Sequence, residues 1–142
     1  MNSILQCISH TEPLIKYYLF EIYFFHLNQS SIHGTKGKLA IAFADLISEL
    51  YIGNSTYFAP WDMKRIISQK ANQFMGFQQH DSQEMLSILL ETLHQDVNSI
   101  SVKPYIEFAD YNQEKPDSEV SAEYWDAFKK REKSLFIDLF YG

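Results

Sequence analysis

The 142-residue sequence contains a single cysteine, Cys7, and few basic residues. One cysteine excludes a disulfide within the chain, and it also excludes a zinc site built from several cysteines. Lysine and arginine number 12 against 18 acidic residues, which gives a net charge of −6 with neutral histidines. Because phosphate backbones are bound by basic patches, this balance argues against nucleic acid as a partner and suits a basic ligand better.

No apolar run is long enough to span a membrane. The most apolar early stretch, residues 14–27, is interrupted by Lys16, Glu21 and His26, and it is shorter than the ~20 residues that a spanning helix needs. No basic region precedes an apolar run at the N-terminus, so no signal peptide is predicted. We expect an intracellular protein of the cytoplasm, the nucleus or both, with no membrane partner. Phosphate-binding glycine loops and metal-spaced side chains are also missing, so we expect no cofactor and no metal.

Apolar residues at spacings of three and four predict a mainly α-helical chain. Caps, prolines and apolar stripes place helix starts near Ser3, Pro13, Leu39, Pro60, Ser82 and Ser121. Residues 110–120 are polar and acidic and include Pro116, which predicts a loop. Residues 135–141 are rich in β-formers and predict a strand. Because a strand without a partner leaves backbone groups unpaired, this segment suggests that the chain is part of something larger.

The stretch at residues 76–84 ends in seven polar residues, 78–84, and the sequence turns abruptly apolar at Met85. Asp81 is a good N-cap, and Glu84 three residues later completes a D-x-x-E pattern that resembles a capping box. An apolar stripe follows, formed by Met85, Leu86, Leu89, Leu90, Leu93 and Val97. The residues alone leave two interpretations open: a well-capped helix and nothing more, or a polar site at a helix start.

Two other residue patterns suggest catalysis, but we expect neither of them to be catalytic. Cys7 lies a full turn into its predicted helix, next to Ile4, Leu5 and Ile8, whereas reactive thiolates favour helix N-termini or electropositive pockets. We therefore expect a buried, inert thiol. His80 precedes the carboxylate Asp81 directly, but an orienting carboxylate normally reaches an imidazole from elsewhere in the fold, so we do not expect an acid–base pair.

Three segments resemble the ubiquitin-specific proteases, which are ubiquitin carboxyl-terminal hydrolases of the papain-like cysteine peptidase class. Residues 79–84, Q-H-D-S-Q-E, are similar to the family's Q-H-D-x-Q-E box. Residues 1–7, M-N-S-I-L-Q-C, are similar to the segment after the family's catalytic cysteine, roughly C-[FY]-M-N-S-x-L-Q. Residues 134–142 resemble the strand that leaves the family's helical subdomain. The three segments occur in the family's order and together cover most of the chain.

The resemblance implies a fold and a position within a larger domain. Residues 1–142 correspond to the helical, thumb-like part of a papain-like catalytic domain, with one terminal strand that belongs with the remainder. By this alignment the chain begins just after the nucleophile position and ends before the fingers and the histidine segment. The nucleophilic cysteine and the catalytic histidine then lie outside it, so we expect the chain as given to be inactive, and a truncated gene model is the favoured explanation.

The resemblance also implies a function and a set of site residues. The family hydrolyses the bond after the C-terminal glycine of ubiquitin by a Cys-His-Asp/Asn mechanism. Its expected partners are ubiquitin, ubiquitinated proteins and the rest of its own catalytic domain. The positions that match the family box, and so imply contact with the ubiquitin tail, are Gln79, His80, Asp81 and Glu84. Asn2 and Ser3 are implied to lie on the helix next to the active site.

Two alternatives stay open at this stage. The first is a fragment or pseudoenzyme that binds ubiquitin, or acts as a scaffold, without cleaving anything. The second is an all-α interaction module whose similarity is accidental, which three ordered segments disfavour.

Overall fold

The computed structural model describes residues 2–76, 78–107 and 115–141. Within these ranges the chain is helical and carries no strand, so the predicted mainly α fold is confirmed. The α-helices are α1 (Asn2–Ser9), α2 (Glu12–Leu19), α3 (Lys38–Tyr51), α4 (Trp61–Lys70), α5 (Ser82–Asp96), α6 (Asp117–Arg131) and α7 (Leu135–Phe140). Short 3₁₀ turns lie at Ile22–His26 and Asn72–Phe74.

The ends of several helices follow from local chemistry. Pro13 lies in the first turn of α2, where a missing N–H costs nothing, and Pro60 immediately precedes α4. At the end of α3 the N–H of Gly53 donates back to the carbonyl of Ser48 at 3.1 Å. This bond uses one of the carbonyl groups that a helix end otherwise leaves unpaired.

The apolar core lies around α3, which packs against α2, α4 and α5, while α5 also packs against α7. The predicted stripe of α5 faces this core: Met85, Leu89, Leu93 and Val97 are buried. Large side chains with almost no exposed surface complete it, among them Leu14, Leu39, Phe43, Ile47, Met63 and Phe136. Within the described ranges, no helix combines the length and the apolar character needed to cross a membrane.

The strand predicted at residues 135–141 is wrong, because this segment forms α7. Ser134 is its N-cap, and the Ser134 Oγ accepts from the N–H of Ile137 at 3.3 Å. Phe136 and Ile137 are buried against the core. The backbone hydrogen bonds of the segment join its own residues, as in the bond from the N–H of Tyr141 to the carbonyl of Ile137 at 3.1 Å. A helix satisfies its own backbone groups, and the described residues include no strand that could pair with this short apolar segment, so its burial favours the helix over β-propensity.

Helix α6 begins earlier than the sequence predicts. Pro116 precedes its first turn, and Asp117 and Glu119 lie in that turn, where carboxylates are favoured by the helix dipole. The predicted loop at residues 110–120 is therefore wrong for residues 117–120, and residues 110–114 lie outside the described part. The basic residues of the last turn, Lys129, Lys130 and Arg131, match the opposite end of the same dipole.

The prediction that Cys7 is buried is also wrong. Ile4, Leu5 and Ile8 face the core from one side of α1, and Cys7 lies on the other side and is exposed. At about 100° per residue, Ile4, Leu5 and Ile8 fall within an arc of about 100°, and Cys7 lies about 110° from the middle of that arc, on the exposed flank of the helix.

Asp96, the last residue of α5, is fully buried and caps a different helix. Its carboxylate accepts from the backbone N–H groups of Leu39 and Ala40 at 3.0 and 3.2 Å, in the first turn of α3. It also accepts from the N–H and the hydroxyl of Thr35, both at 2.5 Å. The residue before α3 is Gly37, which has no side chain to supply a cap. Asp96 therefore provides from a distance acceptors that an N-cap side chain normally supplies, together with Thr35 Oγ1, which accepts from the N–H of Leu39 at 2.8 Å.

A second buried network joins α5 to the segment between α6 and α7. His94 Nδ1 lies 2.7 Å from Ser134 Oγ, and His94 Nε2 lies 3.0 Å from Glu132 Oε2. The same carboxylate accepts from Asn98 Nδ2 at 2.6 Å and pairs with the Lys103 ammonium. Burial alone raises the pKa of Glu132, but the hydrogen bonds from Lys103 and His94 outweigh it and hold that pKa below its ordinary value.

Candidate functional site

Asp81 is the N-cap of α5, as predicted. Its backbone is extended, with φ −62° and ψ 126°, and its Oδ1 accepts from the N–H of Gln83 at 2.7 Å. The carbonyl of Asp81 accepts from Met85 at 3.2 Å and so starts the helical ladder. The side chain remains exposed, so the carboxylate sits at the positive end of the α5 dipole with its outer oxygens toward solvent.

An open groove of about 450 Å³ lies between α4 and the start of α5. Its floor is apolar and is formed by Ile67, Phe74 and Met85. Its polar rim includes Ser68, Gln78, Gln79, His80, Asp81 and Ser82. The structure thus brings together three of the four residues predicted for tail binding, Gln79, His80 and Asp81, in one concave surface.

The His80 ring is held by an aromatic contact. It meets the Phe74 ring edge to face, with centroids 5.2 Å apart and planes at 74°. Such contacts fix ring orientation and stabilise by about 0.5–1.5 kcal/mol. The Asp81 carboxylate bonds to the Gln83 N–H, and within the described residues no hydrogen bond joins it to His80. The neighbouring pair is therefore not arranged as an acid–base unit in this structure.

Two side chains of α4 contact the loop that forms the outer wall of the groove. Lys64 Nζ donates to the carbonyl of Gly76 at 2.6 Å, and Ser68 Oγ donates to the carbonyl of Phe74 at 3.0 Å. The family box includes neither residue, and no motif in the sequence marks either one. The sequence offers only a weak indication of these contacts, namely two hydrogen-bond donors, Lys64 and Ser68, that are four residues apart and flank the apolar Ile67.

Glu84 and Ser3 do not line this groove. Glu84 lies in the first turn of α5 and is exposed outside the groove. Asn2 and Ser3 begin α1, which packs against α2.

Cys7 has no catalytic partner in the described part of the chain. No hydrogen bond reaches its Sγ there, and the nearby His10 uses its Nδ1 on the carbonyl of Gln6 at 2.6 Å. The thiol is exposed, but it projects from the middle of α1 rather than from the N-terminus, where the helix dipole favours a thiolate.

Comparison with known proteins gives a consistent family. The family model for ubiquitin carboxyl-terminal hydrolases matches residues 1–142. The chain is 42% identical over its whole length to ubiquitin carboxyl-terminal hydrolases 32 and 4 of Mus musculus. It is 43% identical over its whole length to the putative ubiquitin carboxyl-terminal hydrolase 11 of Arabidopsis thaliana. The chain spans 9%, 15% and 16% of these three relatives, respectively.

These matches confirm the family resemblance seen in the three sequence segments. A family model that covers every residue, together with identities above 40% over the full chain, leaves no part of the sequence unaccounted for. The chain belongs to the ubiquitin carboxyl-terminal hydrolase family.

Proposed function

We propose that this chain forms the helical, thumb-like part of the catalytic domain of a cysteine-type deubiquitinase. Such an enzyme hydrolyses the bond after the C-terminal glycine of ubiquitin. Family membership over the whole chain and the mainly helical fold support this proposal. The nucleophilic cysteine and the catalytic histidine come from other segments of the enzyme, so the chain contributes substrate binding rather than bond cleavage.

The groove at the start of α5 is the proposed site for the ubiquitin tail. An extended peptide presents backbone N–H donors, and a carboxylate accepts them as charge-assisted bonds, which are stronger than neutral ones. Asp81 is exposed on the groove rim and has about four acceptor positions, of which the cap uses one. This coincidence of an exposed carboxylate that keeps unused acceptor positions with a concave apolar floor is the observation that carries the proposal.

Gln79 and His80 add polar contacts along the same wall. Glu84 is exposed one turn away, outside the groove, and its proposed contact is with the arginines of the tail rather than with its backbone. The net charge of −6 favours approach of a basic tail.

Binding measurements test the site. Fluorescently labelled ubiquitin is titrated with the chain and compared with ubiquitin that lacks its C-terminal tail. We expect the tail-less form to bind more weakly, and we expect Asp81→Asn to weaken binding of intact ubiquitin roughly tenfold. Asp45→Asn, which removes an exposed charge from α3 outside the groove, is the matched control and leaves the affinity unchanged. Equal affinity for both forms of ubiquitin contradicts the proposed site.

A turnover assay separates binding from catalysis. The chain is expected to release no fluorophore from a fluorogenic ubiquitin substrate, because no cysteine in the described residues has an acid–base partner. Turnover that Cys7→Ala abolishes would falsify this expectation. Binding without turnover is also what a non-catalytic ubiquitin binder shows, and restoring activity with the remaining catalytic segments distinguishes an enzyme part from a binder.

A further inference from the structure

We propose that Lys64 and Ser68 of α4 are positioning residues, which set the shape of the groove by holding two carbonyl groups of its outer wall. The inference rests on the proposed function of this groove, because it names what keeps the tail-binding loop in place. Neither residue belongs to the Q-H-D-x-Q-E box, and both lie on a different helix from Asp81.

The two contacts join one face of α4 to one short segment of the wall. Lys64 and Ser68 are four residues apart, which on a helix is a rise of about 6 Å along one face. Their acceptors, the carbonyls of Gly76 and Phe74, are two residues apart in the chain. Met75 between them is extended, with φ −70° and ψ 138°. One helix face therefore contacts both carbonyl groups of this short segment.

These contacts hold a segment that lies outside regular secondary structure. Residues 76 and 78–80 form no backbone–backbone hydrogen bond with another described residue. Gly76 has φ +87°, in the region that favours glycine, and the space around its Cβ position is open. Among the described residues, Lys64 and Ser68 hold the carbonyls of Gly76 and Phe74, and the Phe74 ring contacts the His80 ring. Asp81 caps the helix that follows.

These contacts affect binding because the loop carries side chains that are proposed to contact the ubiquitin tail. Gln79 and His80 line the groove only while the wall holds its position next to α4. Release of the Gly76 carbonyl allows the wall to sample other positions, so a ligand must then meet the entropic cost of ordering it. Lys64 makes the stronger of the two contacts, because its donor is charged.

Order parameters from NMR relaxation and ubiquitin affinity test the inference together. In Lys64→Met the backbone order parameters of residues 78–80 are expected to fall from near 0.85 toward roughly 0.6. The same variant is expected to bind ubiquitin roughly tenfold more weakly, and Ser68→Ala to change both quantities in the same direction but less. Lys64→Arg keeps a charged donor and is expected to restore both. Arg65→Met, which removes the neighbouring exposed charge that pairs with Asp62 at 2.8 Å, is the matched control and changes neither.

The outcomes separate this inference from the proposed function. If the wild-type chain binds no ubiquitin, the proposed function fails, while the order parameters still decide whether Lys64 holds the loop. Unchanged order parameters in Lys64→Met overturn the positioning role. So does an affinity that Lys64→Met leaves intact while Asp81→Asn weakens it.

Discussion

The Asp81 carboxylate accepts a hydrogen bond from the N–H of Gln83 at 2.7 Å and so uses one oxygen as a helix cap. The exposed side of the same carboxylate faces the groove and keeps acceptors for a ligand. One residue therefore has a role in the fold and a proposed role in binding. The two roles respond differently to substitution, because asparagine keeps the cap and loses the charge.

Asp81→Asn is expected to change the free energy of unfolding by less than about 0.5 kcal/mol, because Asn and Asp are comparable caps. Asp81→Ala removes the acceptor for Gln83 and is expected to cost about 0.5–2 kcal/mol. Urea unfolding of the two variants measures both values. If the asparagine variant loses as much stability as the alanine variant, the carboxylate stabilises the fold by its charge and not as a cap.

Cys7 illustrates how a helical face is misjudged when a helix is short. Its neighbours in sequence are buried, and the thiol itself is exposed on the opposite side of α1. We expect a thiol reagent to label the native chain at a rate near that of the denatured chain. Protection of the native thiol by a factor of ten or more contradicts the exposed position.

At the scale of elements, prediction succeeds where a local signal decides the structure. Pro13, Pro60 and Asp81 each mark the start of a helix through their own backbone or side-chain chemistry. Prediction fails at α7, where β-rich composition suggested a strand. There the helix depends on how Phe136 and Ile137 pack against the core, which the local sequence does not encode.

The candidate site divides in the same way. The polar start of α5 and its cap follow from the residues themselves. The Lys64 contact joins residues 12 apart in the chain, and the Asp96 cap joins α5 to Leu39 over 57 residues. Such contacts depend on how the helices pack, so a single sequence carries little sign of them. The family resemblance named residues of the box but not the α4 side chains that hold it.

Asp96 is expected to be among the most sensitive positions for stability. Asp96→Ala leaves the N–H groups of Thr35 and Ala40 without their acceptor at a buried helix start, while the N–H of Leu39 keeps Thr35 Oγ1. The expected loss is on the order of 3 kcal/mol, since unsatisfied buried donors cost about 1–3 kcal/mol each and the site relaxes in part. Chemical denaturation measures it, with Asp45→Ala on the exposed face of α3 as the control, expected within about 0.5 kcal/mol of wild type. A loss as small as that of the control contradicts the capping role.

At the scale of the whole molecule, α5 connects the groove to the two buried polar networks. Its start carries the groove, and its end carries the two buried polar networks. Asp96 holds the segment before α3, and His94 bonds to Glu132 and Ser134 next to α7. A substitution at Asp96 or His94 therefore weakens the packing of α5, the helix that presents Asp81. Asp96 contacts the segment before α3, and His94 contacts the segment before α7.

The Glu132 network predicts a loss of stability in acid. The pKa of Glu132 in the folded chain lies below its ordinary value of 4.5, so its contribution is complete above the pKa of the unfolded state. That contribution is lost as the pH falls through the folded value. Glu132→Gln removes the charge that Lys103 and His94 contact and is expected to cost about 1.5–3 kcal/mol at neutral pH.

Unfolding measured between neutral pH and pH 3 checks this prediction. The difference in stability between wild type and Glu132→Gln is expected to shrink as the pH falls below 4.5. Glu107→Gln, at an exposed position, is the control and is expected to follow the wild-type pH dependence. A difference that stays constant over this range shows that the carboxylate's charge is not what stabilises the network.

The central claim is that the groove between α4 and the start of α5 holds the end of the ubiquitin tail. Ubiquitin with a nitroxide attached to a cysteine at the end of its tail tests this most directly, because the label broadens NMR signals of nearby amides in the isotopically labelled chain. We predict the strongest broadening at groove residues, including Ser68, Gln79 and Ser82. Broadening that is strongest at α6 or α7, or that is uniform over the chain, contradicts the claim.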